Sequence, residues 1–110
     1  NWFRRTPEGG FAWPGFGENS RVVKWIFDRL EGTAGGHETL LGIVPGKDDL
    51  DLTGLEISDA EINAALVVDV EEVAAEIEGI DEWLAKFGDE LPQRLRVQRD
   101  ELVKRIESAR

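Results

Sequence analysis

The sequence predicts a mainly α chain with minor β: an N-terminal aromatic and glycine-rich loop, then about four helices that include a C-terminal helical hairpin. Three observations predict it. Apolar residues recur at helical spacing in several stretches, among them Val73, Ile77, Ile80, Leu84 and Phe87. Two helix-start signatures follow each other, Ser58 with Glu61 and Asp69 with Glu72. The first eighteen residues carry Pro7, Gly9, Gly10, Pro14, Gly15 and Gly17, a density that breaks both helix and strand.

Residues 1–19 therefore read as a loop, with Asn1-Trp2-Phe3 as the end of a strand. Residues 20–31 read as a helix with a stripe of Val22, Val23, Ile26 and Leu30, stopped by Gly32 and capped by Asn19 or Ser20. Residues 32–57 form an extended connector. Gly35, Gly36 and His37 suggest a mobile turn, residues 40–44 one short strand ended by Pro45, and Leu50, Leu52, Leu55 and Ile57 a chain lying across a core. Residues 58–110 are helical: a short helix at 59–67, a longer one ending at Gly88, and a last one opened by Pro92. Leu95, Leu102 and Ile106 give that last helix its apolar face, and Arg94, Arg96, Arg99, Asp100 and Glu101 its wet one. Residues 1–110 are expected to form one segment.

Composition narrows the function classes. The formal charge of −10 argues against a nucleic-acid partner. It is unevenly spread: residues 1–30 hold five basic residues against three acidic, and residues 31–110 hold eight against twenty. The acidic part reads as solvated helix surface. No apolar run is long enough for a membrane span. Cysteine is absent, which removes disulfides and thiolate ligands and is compatible with a cytosolic origin. With Asn1 first and no methionine anywhere, the chain is expected to be a piece of a longer protein.

The stretch with chemical content is N-W-F-R-R at residues 1–5 and F-A-W-P-G-F-G-E-N-S-R at residues 11–21. It holds five of the nine aromatic residues: Trp2, Phe3, Phe11, Trp13 and Phe16. Gly15 and Gly17 flank Phe16 and allow backbone to approach a ligand closely. Asn19 stands at the mouth of a helix, where free amides favour hydrogen-bond acceptors. Rings on such a loop suit a flat heteroaromatic ligand, with edge hydrogen bonds for selectivity. The same residues also suit a plain structural role, the rings filling a core and Gly-Phe-Gly making the turn into the helix. From the residues alone both readings stand.

The string W-P-G-F-G-E-N-S-R, with N-W-F-R-R upstream, closely resembles the C-terminal region of the GTP-dependent phosphoenolpyruvate carboxykinases. The likeness continues more loosely through the next helix, the I-V-P turn at 43–45, the L-D-L-x-G-L segment ending at Leu55 and the acidic helices. It implies a piece of a larger, cytoplasmic α/β enzyme that converts oxaloacetate and GTP into phosphoenolpyruvate, carbon dioxide and GDP, in gluconeogenesis or anaplerosis. It also implies a guanine-binding loop at residues 1–19. Phe3, Phe11 and Phe16 then look like ring-stacking residues, Trp2 like the pocket wall and Asn19 like the reader of the guanine edge. Gly17 and Glu18 complete the segment Phe16-Gly17-Glu18-Asn19. Ala12 departs from the larger aliphatic residue common at that place.

No catalytic residue and no metal ligand is expected within this segment, and manganese or magnesium belongs to the parent enzyme. No G-x-x-x-x-G-K-S/T string occurs. Trp13 is expected to pack under the loop, Arg21 to pair with Glu18 or a helix partner, and Glu18 to sit as an acid at a helix start. His37 is alone, and Asp48, Asp49 and Asp51 lack the spacing of a calcium loop. The expected partners are a guanine nucleotide and the remainder of the parent enzyme, with a homodimer of the fragment through apolar faces left bare. The isolated fragment is expected to be inactive. The rival readings are a small helical protein-interaction module with an aromatic docking loop and an aromatic platform for carbohydrate or single-stranded nucleic acid.

Overall fold

Glycine and proline keep the first fifteen residues out of regular structure, and what replaces it is a tight turn. Thr6 N–H donates to the Gly10 carbonyl at 2.9 Å and Ala12 N–H to the Arg4 carbonyl at 2.8 Å, which brings Arg5 opposite Phe11 in a single antiparallel bridge. The expected strand end at residues 1–3 is absent: the chain turns there instead, with Asn1 Oδ1 accepting from Phe3 N–H. The computed structural model describes residues 1–110 and divides into two compact units, Asn1–Val67 and Val68–Arg110. It is mainly helical with one small antiparallel sheet, as the sequence predicts.

In the first unit a single 3₁₀ turn, Phe16–Glu18, leads straight into helix α1, Asn19–Glu31. Gly32 ends it in the left-handed conformation, φ 75°. Gly32 N–H returns to the Arg29 carbonyl and Thr33 N–H to the Asp28 carbonyl, the two bonds of a Schellman stop. Neither expected cap operates at the other end. The Asn19 side chain is used by Trp13, and Ser20 Oγ donates to the Gly17 carbonyl.

The connector holds two strands where the sequence suggested one. Strands β1, His37–Thr39, and β2, Gly42–Val44, pair antiparallel with His37 opposite Val44. His-Glu-Thr carries no apolar alternation, so pairing and not pattern makes it a strand, and the expected mobile turn at His37 is displaced to residues 40–41. A 3₁₀ turn at Lys47–Asp49 follows, then helix α2, Asp59–Leu66. The Ser58–Glu61 box closes α2 reciprocally: Ser58 N–H donates to Glu61 Oε2 at 2.8 Å and Glu61 N–H to Ser58 Oγ at 3.3 Å.

The core of this unit is Trp13, Trp25, Leu50, Ile62 and Ala65, with Val22, Leu52, Leu55 and Ile57 packed on it. The extended leucines thus cross a core as expected. Of the apolar stripe read on α1, Val22 alone lines it. Trp25 is the buried residue of that helix, its indole N–H donating to the Gly35 carbonyl at 2.9 Å, whereas Val23, Ile26, Phe27 and Leu30 are exposed.

In the second unit helix α3, Val70–Ala85, starts on Asp69, whose Oδ1 accepts from Glu72 N–H at 2.9 Å. A 3₁₀ turn, Gly88–Glu90, joins it to helix α4, Gln93–Ala109, with Pro92 one residue ahead of the first turn. Val73, Ile77, Ile80 and Leu84 are half-buried along one side of α3. On α4 Ile106 is buried and Leu102 half-buried, but Leu95 is exposed. Arg99, expected to stay wet, instead grips Asp81 with both ends of its fork at 2.7 and 2.5 Å, and Arg110 grips Glu71 likewise.

Those hydrogen bonds from Arg99 hold the Asp81 carboxyl below its ordinary value of 3.8. A lowered folded pKa gives stability that is complete above the unfolded value and is lost as pH falls through the folded one. The melting temperature of the chain is therefore expected to fall as pH drops below about 4, and that of Asp81→Asn to fall less. An equally steep acid limb in the variant would show that the pair does not contribute.

Candidate functional site

The loop from Phe3 to Asn19 is built to display rings, and its backbone states so. Gly15 adopts φ 71°, ψ −159°, a region open only to glycine. Phe16 follows at φ 50°, the single non-glycine residue with positive φ in the chain. Left-handed geometry costs a phenylalanine roughly 1–2 kcal/mol, yet the side chain gains no burial in return, since it is 99% exposed. Apolar packing within this chain does not explain this placement.

Phe3 and Phe11 meet edge to face, centroids 6.2 Å apart at 66°. The Arg5 guanidinium lies over the Phe11 ring, 4.0 Å from its centroid; Arg5 also donates to the Gly9 carbonyl at 3.1 Å, which closes the turn. Phe3 is 75% exposed and Trp2 and Phe11 about half. Of the residues singled out, Phe3 and Phe11 are thus brought together, and Phe16, Gly17, Glu18 and Asn19 form one continuous turn. No ring contact joins Phe16 to the Phe3–Phe11 pair. Space around Gly17 is open, with no atom within 4 Å of where a Cβ would stand.

Trp13 lies in the core beneath this turn, 4% exposed, and its indole N–H donates to Asn19 Oδ1 at 2.9 Å. Arg21 Nε donates to Glu18 at 2.5 Å and its guanidinium also reaches the Asp51 carbonyl at 2.6 Å. Arg21 therefore ties the connector to the turn and is not free for a phosphate. Sequence reasoning missed the Trp13–Asn19 bond and the Arg5–Phe11 contact. The first was open to inference, since a buried indole N–H needs an acceptor nearby.

Other clusters offer no reaction chemistry. A cleft of about 300 Å³ is lined by Lys24, Asp28, Asp48, Asp49 and Asp51, with Lys24 spent on Asp28 at 2.5 Å. Its sign repels a polyphosphate. The aspartates do not fit a metal either: Asp49 accepts from Gly46 N–H and Asp51 from Thr53 N–H, and no three acidic or imidazole groups converge. His37 lies on β1 opposite Val44.

A helical segment that carries exposed aromatic rings on a glycine-rich loop at a helix start is the class these features define. Residues 1–105 match the family described as phosphoenolpyruvate carboxykinase C-terminal P-loop domain. The chain is 57% identical over 106 residues to phosphoenolpyruvate carboxykinase (GTP) of Renibacterium salmoninarum, covering 96% of this chain and 18% of that protein. The enzyme of the same name from Arthrobacter sp. (strain FB24) is 54% identical over 106 residues, 96% of this chain and 17% of its own. That of Anaeromyxobacter dehalogenans (strain 2CP-1) is 48% identical over 110 residues, 100% of this chain and 18% of its own. The chain belongs to the GTP-dependent phosphoenolpyruvate carboxykinase family, and spans about 18% of the length of the relatives it matches.

Proposed function

We propose that residues 1–19 hold the guanine base of GTP for an enzyme that converts oxaloacetate and GTP to phosphoenolpyruvate, carbon dioxide and GDP. The observation that carries this is Phe16, held at φ 50° by a Gly-only residue and left 99% exposed. A ring kept in a costly conformation without burial in its own segment supports a role toward a ligand. Phe16, Phe3 and Phe11 supply faces for the purine, which stacking holds without choosing among bases. Trp2 walls the pocket, open backbone at Gly17 allows close approach, and Glu18 with Arg21 braces the turn. Asn19 supplies the edge contact that chooses.

Enolate formation and phosphoryl transfer need cations and positioned charges. The donor set of this segment does not fit the manganese or magnesium of the parent enzyme, so those steps fall to the rest of it. That remainder is also the partner for the bare face of Val23, Ile26, Phe27 and Leu30; in its absence two copies of the segment pair through the same face. The parent works in the cytoplasm, in gluconeogenesis or anaplerosis.

The purified 110-residue chain is expected to show no carboxykinase turnover with GTP, oxaloacetate and manganese, under conditions where a complete relative turns over. Turnover by the chain alone would overturn this division of labour.

A further inference from the structure

We propose that Trp13, a core residue, sets the preference for guanine over adenine by fixing which way the Asn19 amide faces; this rests on the reading that Asn19 meets the base edge. An asparagine carries an acceptor at one end and two donors at the other, and by itself recognises either kind of edge. Indole carries a donor only. Trp13 is 4% exposed, and its N–H lies 2.9 Å from Asn19 Oδ1. Turning the amide over would set Nδ2–H against Nε1–H and leave a buried donor unsatisfied, a state strongly disfavoured in a low-dielectric surrounding.

The lock therefore fixes Oδ1 inward and presents Nδ2 outward. Asn19 is half-exposed, and its Nδ2 has no hydrogen-bond partner in the chain. What it offers a ligand is a donor. At the six-position of a purine, guanine places a carbonyl oxygen that accepts, whereas adenine places an amino group that donates. A fixed donor welcomes the first and opposes the second. A free amide would turn its oxygen to the adenine amino group and lose the distinction. Trp13 is thus a positioning residue, acting through Asn19 from a place in the same core as Trp25, Leu50 and Ile62.

The test measures GDP and ADP affinity by calorimetry on the complete enzyme, with Trp13→Phe, Asn19→Ala and the double variant. Trp13→Phe keeps an aromatic ring and deletes the N–H; it is expected to lower the GDP-to-ADP affinity ratio about tenfold, partly by improving ADP. In the Asn19→Ala background the same change is expected to leave the ratio where it is, because Trp13 acts only through that amide. If Trp13→Phe loses its melting transition, 3-benzothienylalanine at position 13 keeps the bicyclic shape without the N–H and is expected to give the same tenfold fall. A folded Trp13 variant with an unchanged ratio, while Asn19→Ala collapses it, overturns the lock and leaves the guanine pocket standing. A ratio unmoved by Asn19→Ala overturns both.

Discussion

Phe16→Ala raises the KM of the complete enzyme for GTP about tenfold, leaves its KM for oxaloacetate near the original value, and leaves the melting temperature of the 110-residue chain unchanged. The size follows from stacking, worth roughly 1–3 kcal/mol per base, where about 1.4 kcal/mol is a factor of ten. The silence of the other two readouts follows from exposure. Within this chain a ring that is 99% exposed packs on nothing, and substitutions at such places usually stay within about ±0.5 kcal/mol. Steady-state kinetics with each substrate varied in turn checks the first part, and a thermal melt the second. An unchanged KM for GTP would mean that the left-handed phenylalanine serves the fold in a way its exposure hides.

Ile62→Ala has the opposite profile. Ile62 is 1% exposed and stands in the cluster with Trp13, Trp25, Leu50 and Ala65. Truncating a buried isoleucine costs about 2–5 kcal/mol, part from lost burial and part from the cavity. Domains have only about 5–15 kcal/mol in total, so the urea midpoint of the chain should fall steeply. Tryptophan fluorescence reports it directly, because Trp13 and Trp25 line the same core. Ile62→Val, which removes one methylene, should cost only about 0.5–1.5 kcal/mol. Equal midpoints for Ile62→Ala and the unaltered chain would place the core elsewhere.

These two positions also mark what the sequence makes legible. The starts of α2 and α3 were readable because capping is local: Ser58 and Glu61 need only each other to close α2. The half-buried side of α3 was readable from its 3.6-residue rhythm as far as Leu84, whereas Phe87, read as the end of that stripe, is exposed. The buried side of α1 was not readable. Its stripe of Val22, Val23, Ile26 and Leu30 is as apolar as a core face, yet only Val22 of the four packs on the core and Trp25 is what the helix buries, since periodicity marks an apolar face without saying which neighbour covers it. Strand β1 escaped for a related reason: His37-Glu38-Thr39 is extended through its pairing with β2, a partner that no property of the three residues announces.

At the candidate site, residue types were legible and conformation was not. Glycines around an aromatic residue suggested close approach, but equally a plain turn into a helix. The positive φ of Phe16 and its full exposure in this chain are features of conformation that no residue type announces. Trp13 and Asn19 lie six residues apart, and their hydrogen bond depends on a 3₁₀ turn that lifts one over the other.

The central claim, that this loop holds the guanine base, is tested most directly by a crystal structure of the complete enzyme with GDP bound. The account predicts the purine against the Phe16 ring, ring centroids about 4.5–7 Å apart, with Asn19 Nδ2 within hydrogen-bonding distance of the six-position oxygen. A base bound away from Phe16, with that ring still turned to solvent, would contradict it.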